Sequence, residues 1–389
     1  MNKRIHSIDF MRGLVMVIMA LDHVRDLMHV DAITQNPTDL VTTTPFLFFT
    51  RFITHFCAPT FVFLSGTSVY ISLKNKENIG QTQWFLLSRG LWLILLEYTI
   101  VNFGIWFDVN FGIILSQVIA AIGFGFVLLA ILVRLPAKVL GILGLLIILT
   151  HDLITPLPSA IQNPDLKFVA TYLFALNAFP LMPDFTFVVS YPIIPWFGIM
   201  LVGYAAGLIF DFPLQKRKRT LLAIGASMLV IFAVVRYSNL YGDLSKWSVQ
   251  KNPTYTFLSF INVSKYPPSF LYTFLTLGVM IVVLSYVGGL KGKFVKIISV
   301  YGKVPLFYYL IHWYLIHGLM IALLFIQGFT WEELNFATFT FGRPTGKSGL
   351  DLSGIYLVWI SVVIVMYPLC EWYGNYKMDN SDKKWLRYL

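Results

Sequence analysis

The chain has 389 residues, 57% of them hydrophobic and only 12% charged, with a formal net charge of +10 and two cysteines. Soluble domains carry about 25% charged residues, so this composition excludes an ordinary soluble enzyme. It indicates an all-α polytopic membrane helix bundle, read as one integral membrane domain over residues 1–389.

Apolar segments bounded by loops predict about ten spans. In order they are Ile8 to His29, Phe46 to Leu73, Trp84 to Phe107, Phe111 to Val133, Val139 to Leu153, Pro192 to Phe210, Thr220 to Val235, Pro268 to Val287, Val304 to Ile326 and Gly354 to Tyr373. Basic residues sort by loop parity. Lys3, Arg4, Lys74, Lys76, Arg134, Lys138, the run Lys216-Arg217-Lys218-Arg219, Lys291, Lys293, Lys296, Lys377, Lys383, Lys384 and Arg387 fall on one side. Asp31, Asp39, Asp165, Asp184, Asp243, Glu332 and Glu333 fall in the alternate loops. The positive-inside rule then expects both termini in the cytoplasm, an even span count, and contacts of the basic loops with anionic membrane lipid rather than nucleic acid. The first span is interrupted by charge and lacks a small-residue cleavage site, so a retained signal-anchor is expected. Cys57 and Cys370 lie in apolar runs far apart in the chain and read as small apolar packers.

Three alternate loops, Asp152 to Tyr191, Ser238 to Pro267 and Gly328 to Ser353, are long and rich in Pro and aromatic residues. They are expected to be irregular caps in the interface, or else a mouth for an extracytoplasmic substrate. Arg236 and the His151-Asp152 pair stand at span ends and read as snorkelling side chains.

The first span is the costly one. Its apolar part, Leu14 to Leu21, is too short to cross a bilayer, so flanking ionisable groups must lie at membrane depth. Each costs roughly 2.5–3.5 kcal/mol at a helix centre, and an intramembrane charge is by default a site. Asp9 and Arg12 stand near one end, and Asp22, His23, Arg25, Asp26 and His29 near the other. Entering the second span from the same side, Arg51 and His55 share a helix face and reach a depth similar to His23. Glu97 on the third span and His312 and His317 on the ninth are further candidates. A histidine oriented by a carboxylate is a general base, and an arginine beside it can steady developing negative charge. The histidines lack ligand spacing and Cys57 is the only thiol nearby, so no metal is expected.

These residues also form a resemblance. The run Ser7-Ile8-Asp9-Phe10-Met11-Arg12-Gly13, leading to Asp22-His23, resembles the transmembrane acyltransferases, and is most similar to bacterial relatives of heparan-α-glucosaminide N-acetyltransferase. Further similarity lies in Arg51 to Gly66, in Val304 to His317 and in the closing Tyr367-Pro368-Leu369-Cys370-Glu371-Trp372-Tyr373-Gly374. The resemblance implies acetyl transfer from cytosolic acetyl-CoA to an extracytoplasmic glycan or amino sugar across a bacterial inner membrane. A histidine follows the first aspartate by fourteen residues in related membrane acyltransferases, which carries the catalytic role to His23. The heparan enzyme has asparagine there and its active histidine further on. The corresponding stretch here, near Thr34, has none, and His29 is the nearest.

The expectation is therefore a transmembrane acyltransferase. His23 would act as base or transient acyl carrier with Asp22 or Asp26 orienting it, Arg51 as charge stabiliser and His55 in the catalytic group, with His55 or His312 in a proton relay. Arg25, His29, Glu97, His312 and His317 would lie toward substrate, and Asp9 and Arg12 toward the donor. A homodimer is compatible with this reading. The competing readings are a proton-coupled transporter of a small anion or lipid-linked sugar, and a non-catalytic partner in an envelope assembly.

Overall fold

The computed structural model describes residues 5–74, 78–336 and 338–388. Lys3, Arg4 and Lys76, three of the expected inner-face basic residues, lie outside the described residues.

The first helix, α1, runs His6–Met28. The second apolar segment is α2 (Pro45–Phe52), a 3-10 turn (Ile53–Phe56) and α3 (Cys57–Leu73). The third is α4 (Ile79–Leu96), a π-helical turn (Glu97–Val101) and α5 (Asn102–Trp106). After β1 (Ile113–Ser116) come α6 (Val118–Leu132), α7 (Ala137–Ile154), α8 (Leu157–Ala160) and α9 (Pro164–Phe174). The hairpin β2 (Asn177–Met182) and β3 (Phe185–Val189) precedes α10 (Ile193–Ala206), α11 (Leu214–Ser238), α12 (Pro253–Ile261) and α13 (Phe270–Val287). The chain closes with α14 (Lys293–Lys303), α15 (Pro305–Ile326) and α16 (Leu352–Asp379).

This is a polytopic helical membrane protein. Among the described residues, eight segments are long and apolar enough to cross a membrane, and α6 is a shorter apolar helix. The remaining expected span, the first, is α1, whose 23 residues suffice in length while its charges sit toward its ends. Local chemistry sets the boundaries. Thr44 caps α2 through Leu47 N–H with Pro45 at the first helical position. Asn78, Ser269 and Asp351 cap α4, α13 and α16 in the same way. Pro59 lacks an N–H and crowds the carbonyl four residues back, which accounts for the 3-10 turn just before α3.

Two expectations need correction. The fourth apolar run is not helical from Phe111: its first part pairs as β1 in a sheet of order β1-β3-β2, because β-branched Ile113 and Ile114 suit a strand. The stretch between α7 and α10 is also less irregular than expected, containing α8, α9 and an antiparallel hairpin in which Phe179 faces Phe187.

The chain divides into two compact units, and it passes between them more than once. The first gathers Ala58–Tyr98 and Leu115–Leu290, the second Ile8–Cys57, Thr99–Ile114 and Lys291–Leu389. Helices in each approach through small residues, as membrane helices do. In the first unit α3 meets α10 so closely that a Cβ on Gly66 would stand 2.1 Å from the Met200 carbonyl oxygen. In the second, α1 crosses α14 with Gly302 against Asp9, where a Cβ would lie 1.7 Å from the Asp9 carbonyl oxygen. Trp196, Phe63 and Leu64 are buried in the first unit; Leu27, Phe48 and Tyr308 are buried in the second.

Candidate functional site

The second unit brings α1, α2, α15 and α16 together around the charged end of α1. Trp359 of α16 donates to the Val17 carbonyl at 2.7 Å, and Tyr356 meets Thr50 of α2 at 2.9 Å. Asp22 is buried and accepts from two arginines. Its Oδ1 takes Arg25 Nη2 at 2.7 Å and its Oδ2 takes Arg51 Nη1. Arg25 also reaches Asp26 at 2.7 Å, and Arg51 Nη1 donates to Thr54 Oγ1 at 3.1 Å. Two carboxylates and two guanidiniums thus form one charge-balanced network. Pairing of this kind lets four ionised groups occupy an apolar helix pair without an uncompensated charge.

His23 is one residue from Asp22 and therefore about 100° around the helix, turned toward α15. Its ring stacks on Trp313 with centroids 3.9 Å apart and on His312 at 4.9 Å. His23 Nδ1 lies 2.7 Å from His312 Nε2. The fully buried His312 has Nδ1 2.7 Å from the Tyr309 carbonyl and 3.1 Å from that of Tyr308. Carbonyls only accept, so Nδ1 of His312 carries the proton. With both rings neutral, Nε2 of His312 accepts, Nδ1 of His23 donates, and the lone pair of His23 lies on Nε2. The order of atoms assigns the tautomers. On the same turn of α15, Tyr308 Oη and Trp313 Nε1 are buried without a hydrogen-bond partner among the described residues. Each unsatisfied donor costs roughly 1–3 kcal/mol.

Both Asp22 oxygens and one of Asp26 engage arginines, and His312 meets the His23 ring at Nδ1. His312, expected toward substrate or in a proton relay, stands beside His23. His55 is buried with Nδ1 3.0 Å from the Arg51 carbonyl, a bond to its own helix left open by the 3-10 turn. His317 is fully buried, stacked on Phe107 at 3.9 Å, with backbone of Gly104, Ile105 and Phe341 around its ring.

His29 lies just past the end of α1. Its carbonyl accepts from the buried Arg343 at 2.7 Å, and His29 forms a short parallel bridge with Leu350, closed by Val30 N–H on the Leu350 carbonyl and Leu350 N–H on the Met28 carbonyl. Burial lowers the His29 pKa most; Asp31 opposes, while Arg25 and Arg343 add to the lowering. Asp9 and Arg12 sit at the opposite end of α1, with Asp9 buried at the α14 crossing. Fourteen residues separate Asp9 from His23, or roughly 21 Å of helix.

Glu97 belongs to the first unit. Its two oxygens accept from Gln117 and Ala120 N–H, each at 3.2 Å, so it caps the start of α6. Also in that unit, Asp152 accepts from Phe270 N–H at 2.9 Å. Arg236 donates to the carbonyls of Phe260, Ser245, Ser259 and Asn262. Neither snorkels, contrary to expectation; both are buried fasteners of connecting segments. Cys57 and Cys370 are buried thiols that form no disulfide with each other, as expected of packing residues. No group of three or more His, Cys, Asp or Glu suited to a metal occurs among the described residues.

Sequence reasoning missed Trp313, Tyr308 and Arg343. Trp313 follows His312 directly in a stretch already singled out, but nothing in one chain tells which ring of an aromatic helix will stack on a residue nearly three hundred positions earlier.

Residues 4–240 match the profile of the family described as heparan-alpha-glucosaminide N-acetyltransferase, catalytic. The match includes His23 and Arg51 and ends before His312. No curated protein matches the chain in sequence.

Proposed function

The chain belongs to the heparan-alpha-glucosaminide N-acetyltransferase catalytic family, and from that premise we propose that it transfers an acetyl group from cytosolic acetyl-CoA to a glycan or amino-sugar acceptor outside the cytoplasm, with His23 as general base. The membrane is a bacterial inner membrane in this reading, with both termini in the cytoplasm. The observation that carries the proposal is the His23–His312 pair, set on Trp313 beside the Asp22–Arg51 ion pair.

The chemistry follows from the tautomers. The acceptor hydroxyl or amine attacks the thioester carbonyl while its proton passes to His23 Nε2. The C–S bond breaks, and the leaving thiolate takes the proton from His23. While His23 is charged, its Nδ1–H remains on His312 Nε2, and the Trp313 face favours the cation. Arg51, anchored by Asp22 and Thr54, would steady the carbonyl oxygen as negative charge develops. Tyr308 Oη and Trp313 Nε1 supply donors that a bound substrate would satisfy. The donor contributes an activated acetyl group. Its phosphates suit Arg12 of α1 and Lys293, Lys296 and Lys303 of α14, two helices that cross at Gly13 and Gly302.

The test is acetyl transfer by the purified protein in proteoliposomes loaded with labelled acetyl-CoA. His23→Ala should lower turnover by about 10³-fold with an unchanged melting temperature. Retained transfer in a folded His23→Ala protein would remove the base assignment. Substrate flux without acetylation would favour transport.

A further inference from the structure

Lys265 lies in the connection between α12 and α13 of the first unit and is 7% exposed. Its contacts are to rings: Nζ stands 4.9 Å from the Tyr266 centroid and 5.9 Å from that of Tyr191. It has no carboxylate or hydrogen-bonding partner among the described residues. Lysine is almost never this buried without a counter-charge. Two aromatic faces offset part of the desolvation and leave the hydrogen-bonding capacity of the ammonium unused.

The surroundings are built rather than incidental. Asp243, the acid in the neighbouring connection, is committed to the loop itself. Its Oδ2 accepts from Ser264 N–H at 2.7 Å and from Ser269 Oγ at 2.8 Å, and its Oδ1 from Ser264 Oγ at 2.8 Å. That carboxylate fastens both ends of the segment bearing Lys265 and fixes where the ammonium stands. Tyr191 is held by its N–H on the Ser116 carbonyl and stacks on the buried Trp196 at 4.6 Å. Tyr266 meets Tyr191 edge to face at 5.5 Å and stays 36% exposed. One wall is therefore rigid and the other open to a ligand.

From this geometry we propose that Lys265, Tyr266 and Tyr191 form a binding subsite for an acidic sugar, with the sugar carboxylate on Lys265 Nζ and the ring against Tyr266. A fixed ammonium selects an oxyanion, and an exposed aromatic face selects a ring with an apolar side. The subsite does not depend on the acetyl-transfer reading or on His23.

Equilibrium dialysis of the full chain in zwitterionic-lipid nanodiscs tests it, with glucuronate, glucose and inorganic phosphate as probes. Glucuronate should bind at least about tenfold tighter than glucose, with a preference that weakens as salt rises. Lys265→Met should abolish that preference, and Tyr266→Ala should weaken both sugars. Without ligand, Lys265→Met should melt no lower than the unchanged protein, since it removes a charge without a partner. Equal glucuronate binding by Lys265→Met overturns the proposal. So does phosphate binding as tight as glucuronate and insensitive to Tyr266→Ala, which marks a simple anion site. A Lys265-dependent preference for phosphatidylglycerol nanodiscs without glucuronate binding would assign a lipid headgroup instead. A lower melting temperature of Lys265→Met with unchanged binding would assign a structural tether.

Discussion

Arg236 in the first unit and Arg51 in the second both stand at membrane-spanning helices largely out of solvent, and they differ in what holds them. Arg236 donates to four backbone carbonyls and so organises the connection that follows α11. Arg51 is held by side chains, Asp22 and Thr54, next to a histidine whose own partner is a second histidine. The acids divide in the same way: Glu97 accepts from backbone N–H groups at a helix start, while Asp22 accepts from two guanidiniums. Buried charge bonded to backbone fixes the chain's path. Buried charge bonded to titratable or oppositely charged side chains forms a network that can respond to a proton or a ligand.

Substitutions can break this contrast. The largest effect is expected at His23: loss of about 10³-fold in turnover for His23→Ala, measured as above, with folding intact. Arg236→Met should act on the opposite axis. Removing it strands four carbonyls and should destabilise the protein by about 3–5 kcal/mol, read as a lower melting temperature in detergent. Activity per folded molecule should be unchanged. A folded, stable Arg236→Met protein would erase the distinction between the two arginines.

His312→Ala should lower turnover by about 10–100-fold by releasing the His23 ring. His312→Gln, whose amide oxygen can still accept from His23 Nδ1, should recover part of it. If Gln and Ala are equally impaired, the hydrogen bond is not what His312 contributes. Arg51→Lys should recover only part of what Arg51→Ala loses, about tenfold short of the native rate, because the shorter lysine carries a compact ammonium that does not reproduce the planar guanidinium whose Nη1 meets both Asp22 and Thr54. Full rescue would reduce Arg51 to a counter-charge.

The smallest effect is expected from His29, where burial favours the neutral ring. Its folded-state pKa is lowered, so the unfolded chain binds the proton more readily. The contribution to stability is then complete above the ordinary histidine pKa of about 6.5 and is lost as pH falls toward the folded value. Melting temperatures at about pH 7.5 and about pH 5.5 should differ more for the unchanged protein than for His29→Gln. An identical difference would place the acid sensitivity elsewhere.

Much of the architecture was legible because hydrophobic length and loop charge are local properties. Each of the ten expected spans carries a helix over most of its length, since a bilayer leaves an apolar segment few alternatives to satisfying its own backbone. The fourth failed at its start because a run of Ile-Ile-Leu suits a strand as well as a helix, and periodicity cannot separate the two. In the candidate site, the common level of His23 and Arg51 followed from depth along two helices entering from one side. The partner of His23 did not follow. Depth is a one-dimensional quantity readable from span boundaries, whereas azimuth depends on how each helix is rotated against its neighbours.

The amino-acid sequence by itself determined that this is a polytopic helical membrane protein, that α1 is its most heavily charged span, and that His23, Asp22 and Arg51 share a level. Only the tertiary structure decided that His312 meets Nδ1 of His23, that Trp313 lies against it, and that Glu97 and Arg236 serve the backbone. The reason is physical. Transfer free energy acts on each residue alone and is written along the chain, while hydrogen-bond partnership needs two groups brought within about 3 Å, and that is set by the packing of helices far apart in sequence.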